Sequence, residues 1–211
     1  MTFEELLQDP NVLYVYETGL QIYGLFEGVD RREFLVIHND GLKPEIESTR
    51  EKEYSFKRIS DWFQEVMSGG MLPWMCACLN KKFIHKEHVK LMMHTDPLQL
   101  RKDFDKYQNF VWTEVEDAIK NNAPFTAEKL AWGLYRYLAF ANQIIDNHKI
   151  INFKTVAPAY NKLVQGLTTD IDTLKSKWYT IAKGELELFT KRTDELLKSE
   201  KIRKILKNEN I

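Results

Sequence analysis

Around Ser60 the spacing of apolar residues changes, and this change constrains the fold more than any other feature of the chain. Before it, branched and aromatic residues fall in short runs set between turns. After it, they recur at steps of three and four. Val12–Glu17 (VLYVYE) is expected as a strand ending in Thr18-Gly19, and Glu33–His38 (EFLVIH) as a second, followed by the turn signal Asn39-Asp40-Gly41. Glu51–Lys57 is expected as a third, with Tyr54 and Phe56 on one face. Thr2–Gln8 reads as a short helix with a capping box from Thr2 and Glu5.

The later part reads as helices. Ser60–Met67 offers Trp62, Phe63 and Val66 on one stripe, and an apolar segment containing Pro73 runs to Leu79. His85–Met93 is expected as a short helix, and Leu98–Asn121 as a long amphipathic one that Pro124 ends. Thr126–Asp146, with Thr126 as cap and Glu128 in the first turn, is the most apolar. Lys154–Val164 and Asp170–Lys198 follow. The expectation is an α+β protein: a small mixed β-sheet domain over residues 1–70, then an α-helical domain over 71–211 with a basic C-terminal tail.

At 211 residues and 44% apolar, the chain can build a proper core. Two cysteines, Cys76 and Cys78, exclude a disulfide scaffold and fit a reducing, cytoplasmic setting. Met1–Asp9 carries Glu4 and Glu5 rather than a basic-then-apolar leader, and no apolar run approaches the ~20 residues of a membrane span, so no membrane role is expected. The net charge of -1 conceals a division. Residues 1–56 carry 12 acids and 5 bases, and residues 57–211 carry 19 and 25. An acidic front and a basic back suit two modules with different partners, although lysine-rich helices are also ordinary solvated faces.

Between the first two strands stands Gly19-Leu-Gln-Ile-Tyr-Gly-Leu-Phe-Glu-Gly-Val-Asp30. It resembles the signature of DNA polymerase β-like nucleotidyltransferases, in particular the predicted RNA-repair-associated branch, which reads G-S-x-A-Y-G-L and then S-D-x-D. Tyr54-Ser-Phe-Lys-Arg-Ile-Ser-Asp-Trp-Phe resembles the branch's Y-S-L-x-K-F segment entering a helix. Lys129-Leu-Ala-Trp-Gly-Leu-Tyr-Arg136 is similar to K-x-x-x-H-x-x-R, and Leu163-Val-Gln-Gly166 to a later I/L-x-x-G. The resemblance touches most of residues 12–166. It implies a nucleotidyltransferase-like sheet in which two carboxylates at i and i+2 share one face of a strand. With a third from a neighbouring strand, they hold two Mg²⁺ ions on a nucleoside triphosphate.

The chain departs from that pattern at the positions that carry the chemistry. Asp30 takes the first carboxylate position, but Arg32 stands two residues on. Leu20 replaces the phosphate-binding serine, Val29 the second serine, and Gly133 the histidine before Arg136. The third carboxylate falls near Arg50 or Glu51. Glu33 cannot substitute for Arg32, because i and i+3 on a strand face opposite ways. A guanidinium ~4 Å from Mg²⁺, at an effective dielectric of about 20, costs roughly 8 kcal/mol. The resemblance therefore implies a catalytically degenerate member, a pseudoenzyme that binds RNA, a ribonucleoprotein or a protein, with nucleotide as a candidate ligand. Gly19, Tyr23, Gly24, Arg31, Arg32 and Arg136 are the expected nucleotide or phosphate contacts, and Lys201, Arg203, Lys204 and Lys207 the expected nucleic-acid tail.

Several alternatives stand beside this reading. One is an active, divergent enzyme that transfers a nucleotide to RNA or protein with Asp30 and Glu51 as catalytic residues. Mg²⁺, held by Asp30, is needed only in that case. Another is a structural or regulatory module acting through its helices. Arg31 and Arg32 could be turn residues paired with Glu27 or Glu33, and the basic tail an ordinary helix end complementing the macrodipole. His85, His88 and His94 are better read as a solvated face than as a metal cluster.

Overall fold

Thr2 opens the first element in the way its spacing to Glu5 predicts. Its Oγ1 accepts from Glu5 N at 3.1 Å, and Glu5 Oε2 accepts from Thr2 N at 2.7 Å, which starts α1 (Phe3–Gln8). The computed structural model describes residues 1–25, 32–41, 43–93 and 96–208, with side chains to residue 199. The chain divides into two units, Met1–His94 with Lys149–Lys154, and Thr95–His148 with Thr155–Ile211.

The first unit is built on four strands: β1 (Val12–Glu17), β2 (Arg32–His38), β3 (Lys52–Arg58) and β4 (Ile84–Glu87), in the order β3-β2-β1-β4. β1 is antiparallel to both of its neighbours, while β2 and β3 run parallel, so the sheet is mixed. On one face Leu6 of α1 packs with Val12, Val15, Phe34, Val36 and Tyr54. On the other, Tyr16 lies 6.1 Å from Trp62 of α2 (Ile59–Met67), and α3 (Met71–Cys78) follows with Trp74, Met75 and Cys76 buried. Both faces of β1 are thus covered, and five of its six residues are buried.

The helix expected over His85–Met93 is absent, and a strand stands in its place. Tyr14 pairs with Glu87 and Val15 with Lys86, and His88 N donates to Leu13 O at 3.1 Å. The outer edge of β1 presents a row of backbone groups that burial would leave unsatisfied, and pairing them outweighs a short helical period. The expected division at residue 70 accordingly falls inside the first unit, because α3 and β4 belong with the sheet. Residues 149–154 also return to this unit. Ile150 N lies 3.3 Å from Cys78 Sγ, and Phe153 packs against Tyr23 with centroids 6.3 Å apart.

The second unit is helical: α4 (Pro97–Lys120), α5 (Pro124–Asn147), α6 (Ala157–Leu163) and α7 (Ile171–Asn208). Asp96 caps α4, its Oδ1 accepting from Leu98 N at 2.9 Å. α5 starts at Pro124 rather than with Thr126 as its cap, since proline's fixed φ and missing N–H suit the first helical position. Among the described residues, no helix is long and apolar enough to cross a membrane.

Glu128, expected near the start of α5, is fully buried and organises the turn before α7. Oε2 accepts from Gln165 N at 2.6 Å and from Gly166 N, and Oε1 from Thr168 N at 3.0 Å and Thr168 Oγ1 at 2.6 Å. Gly166 has φ +72, the left-handed conformation that glycine adopts without strain. Burial opposes the charge on Glu128, but the Thr168 hydroxyl and the loop N–H groups outweigh it and hold the carboxyl below its usual range. Replacing Glu128 with Ala leaves these donors unmet in a dry site. The expected loss is about 3 kcal/mol, read as a lower midpoint in urea unfolding.

Candidate functional site

The sheet places its chemistry where β1 ends and β2 begins. Glu17 closes β1 opposite Phe34, and Arg32 opens β2 two residues earlier, on the same face and diagonal to Glu17. Arg32 Nε donates to Glu17 Oε1 at 3.1 Å and Nη2 donates to Oε2, so the guanidinium grips the carboxylate with two parallel bonds. From β4, His85 Nε2 lies 3.2 Å from Glu17 Oε2 and 3.4 Å from Arg32 Nη2. With its proton on Nε2, the ring donates to Glu17. With that nitrogen bare, it accepts from Arg32.

Aromatic rings close this cluster from below. The Arg32 guanidinium stands 5.1 Å from the Phe34 centroid, and His85 meets Phe3 and Phe34 edge-on at 5.4 and 5.5 Å. The Glu17 side chain is only 4% exposed, whereas that of Arg32 is 40% exposed. Burial works against a charged Glu17, yet the hydrogen bonds from Arg32 and His85 prevail and hold its carboxyl below the usual range. Arg32 has five N–H donors, of which Glu17 takes two, and its outer edge faces solvent. The cluster can therefore receive an anion. Among the described residues its carboxylate, that of Glu17, is taken up by Arg32.

The expected site residues are distributed as follows. Asp30 and Arg31 lie outside the described residues, as do Glu27 and His94. Glu51 is exposed just ahead of β3, and its carbonyl accepts from Arg32 N at 2.6 Å, so its backbone adjoins the cluster. Gly19 precedes a short 3-10 turn over Leu20–Tyr23, where a Cβ would come within 2.5 Å of Gln21 Oε1 and 3.2 Å of Glu33 N. Gly24 ends that turn with φ +71, against the Lys154 stem. Tyr23 is buried beside Phe153 rather than facing solvent.

Arg136 belongs to the second unit, where its guanidinium stands 5.1 Å from the Trp132 ring centroid. Lys201, Arg203, Lys204 and Lys207 lie on the α7 backbone, beyond the described side chains.

Among the described residues the partner of Arg32 is Glu17, not Glu33; Glu27, the other acid the sequence suggested, lies outside them. Sequence reasoning passed over Glu17 altogether. Its one signal was an acid closing a strand otherwise built of Val, Leu and Tyr, a position where burial demands a cation. Nor do the described residues fit the two-metal cage that the resemblance implies. A guanidinium stands where the resemblance would put the second ligand, and the buried carboxylate beside it, Glu17, is already committed to it. Among the described residues, no three His, Cys, Asp or Glu side chains are grouped to hold a metal.

No family model matches the chain, and no curated protein does. Among solved structures, the chain is similar to a nucleotidyltransferase-like protein from Exiguobacterium sibiricum 255-15. The identity is 12% and the TM-score 0.33, with 90% of this chain and 72% of that one covered.

The geometry sets a pH dependence. The Glu17 carboxyl is lowered from 4.5, so its stabilisation is present above that value and is lost as pH falls through the folded-state value. Glu17→Gln is expected to cost about 1.5–3 kcal/mol at pH 7, toward the lower end because Arg32 is partly solvated. In urea unfolding across pH 7 to pH 3, the difference between Glu17→Gln and the parent chain should shrink with acid. A constant difference would show that the charge on Glu17 is not what stabilises the cluster.

Proposed function

We propose that this chain is a nucleotidyltransferase-like protein, related to the RNA-repair-associated branch, that binds RNA in the cytoplasm without transferring nucleotides. The observation that carries this reading is Arg32 clamped on Glu17, at the place where the resemblance puts a metal-binding carboxylate. The motif fragments support it, since Gly19, Gly24 and Arg32 bound the segment of the first unit that resembles the signature. A mixed sheet with a β1–β2 antiparallel pair and a parallel β3 is compatible with such a domain.

In this reading the outer N–H groups of Arg32 meet a phosphate while Glu17 fixes the orientation of the fork. Glu17 keeps its charge because Arg32 and His85 face it, so the cation is positioned before any ligand arrives. The basic residues at the end of α7 add contacts to the phosphate backbone. No step requires a metal.

Titration of labelled single-stranded RNA at 50 to 200 mM salt tests the reading, together with a transfer assay containing Mg²⁺ and each labelled NTP. RNA affinity is expected to fall steeply with salt. Neutralising Lys201, Arg203, Lys204 and Lys207 should weaken it at least about tenfold and flatten the salt dependence by roughly 3 units of log–log slope, at about 0.7 per phosphate contact. Nucleotide transfer that Asp30→Ala abolishes would establish the active enzyme instead. An absence of RNA binding at 50 mM salt would favour a protein partner.

A further inference from the structure

Two side chains compete for one oxygen of Glu17. Arg32 Nη2 bonds to Oε2, and His85 Nε2 lies 3.2 Å from the same atom, whereas Oε1 is met by Arg32 Nε at 3.1 Å. His85 Nε2 also lies 3.4 Å from Arg32 Nη2, so the competitors touch each other. What passes between them depends on the proton at Nε2. A neutral ring with Nε2 bare accepts from Nη2 and helps to hold that prong of the fork. The imidazolium carries N–H on both nitrogens and can only donate. It then claims Oε2 and faces the guanidinium as a like charge.

Exposure lets this exchange reach solvent. The His85 side chain is 18% exposed and that of Arg32 40%, while Glu17 between them is nearly dry. Glu17 stays charged where histidines titrate, because Arg32 and His85 hold its carboxyl below the usual range. Around the ring, α1 contributes Glu4 and Glu5, β1 Glu17, β2 Arg32, and β3 Lys52 and Tyr54. Glu5 is bonded to Thr2 N, and Lys52 Nζ stands 4.8 Å from the Phe3 ring that His85 meets edge-on. On the strand of His85 itself, Lys86 Nζ donates to Asp9 O at 2.8 Å, and Glu87 lies 3.5 Å from the Tyr16 hydroxyl. The groups in contact with Nε2 are thus one acid, Glu17, and one cation, Arg32.

We propose that His85 is a proton-operated switch on the anion site. Protonated, it takes Glu17 Oε2 and releases the Nη2 prong of Arg32 to a phosphate, while Nε keeps the guanidinium tethered to Oε1. Neutral, it leaves Nη2 on Glu17. The inference rests on the reading of Arg32 as the phosphate contact. The added proton both raises the local positive charge and frees a donor, so both effects tighten anion binding as pH falls.

Binding of labelled oligouridylate to the full chain at low salt, compared at about pH 8 and about pH 5.5, tests the proposal. Phosphodiesters keep one negative charge and uracil stays neutral over this range, so the probe does not change charge. Affinity is expected to rise at least about threefold at the lower pH, the effect of one unit charge beside a partly solvated cation. In His85→Gln the affinity should be the same at both pH values, although His38, His88, His94 and His148 remain. Affinity that is unchanged or weaker at the lower pH overturns the proposal, as does a rise that His85→Gln retains in full.

The chain without RNA gives a second readout. In nitrogen NMR spectra, the Arg32 Nε–H resonance should move in step with the His85 ring as pH falls, and should stay in place in His85→Gln. If RNA binds at neither pH, the RNA-binding reading fails and this titration decides the switch by itself. An Arg32 resonance that follows His85 supports it, and one that ignores His85 overturns it.

Discussion

The bond between Glu17 and Arg32 governs what the first unit can do. Glu17 is the acid that a nearly dry position at the end of β1 must neutralise, and Arg32 supplies both the charge and the matching two-pronged geometry. His85 from β4 meets the same carboxylate, so a single acid ties together three strands of the sheet. That arrangement fixes the sign of the site. A cation faces outward at the start of β2, and in the proposed reading a phosphate is its complement.

A second buried carboxylate, Glu128, follows the same logic in the helical unit with a different outcome. It gathers backbone N–H groups from residues 165 to 168 and so fixes the turn that launches α7. Both acids are buried, and in both hydrogen bonding overcomes the penalty of burial. One orders a loop. The other aims a cation.

What could be read from the sequence was local. The capping box of Thr2 and Glu5, the extent of β1 and the positions of β2 and β3 follow from residues within a few places of one another. β4 did not, because Ile84–Glu87 becomes a strand through pairing with β1, some seventy residues earlier. Arg32 was identifiable as the residue that breaks the carboxylate pattern, but its partner was not. Glu33 is its neighbour in sequence and faces the other way, whereas Glu17 is fifteen residues distant and shares its face. Residue spacing exposes periodicity, whereas a buried ion pair depends on which strands become neighbours.

The most direct measurement of the central claim is a crystal structure of the chain soaked with Mn²⁺ and a non-hydrolysable nucleoside triphosphate, read by anomalous scattering. The account predicts phosphate density on the outer edge of Arg32, the Glu17–Arg32 bonds intact, and no manganese peak at the start of β2. Two manganese peaks there, with Arg32 swung away from Glu17, would contradict it.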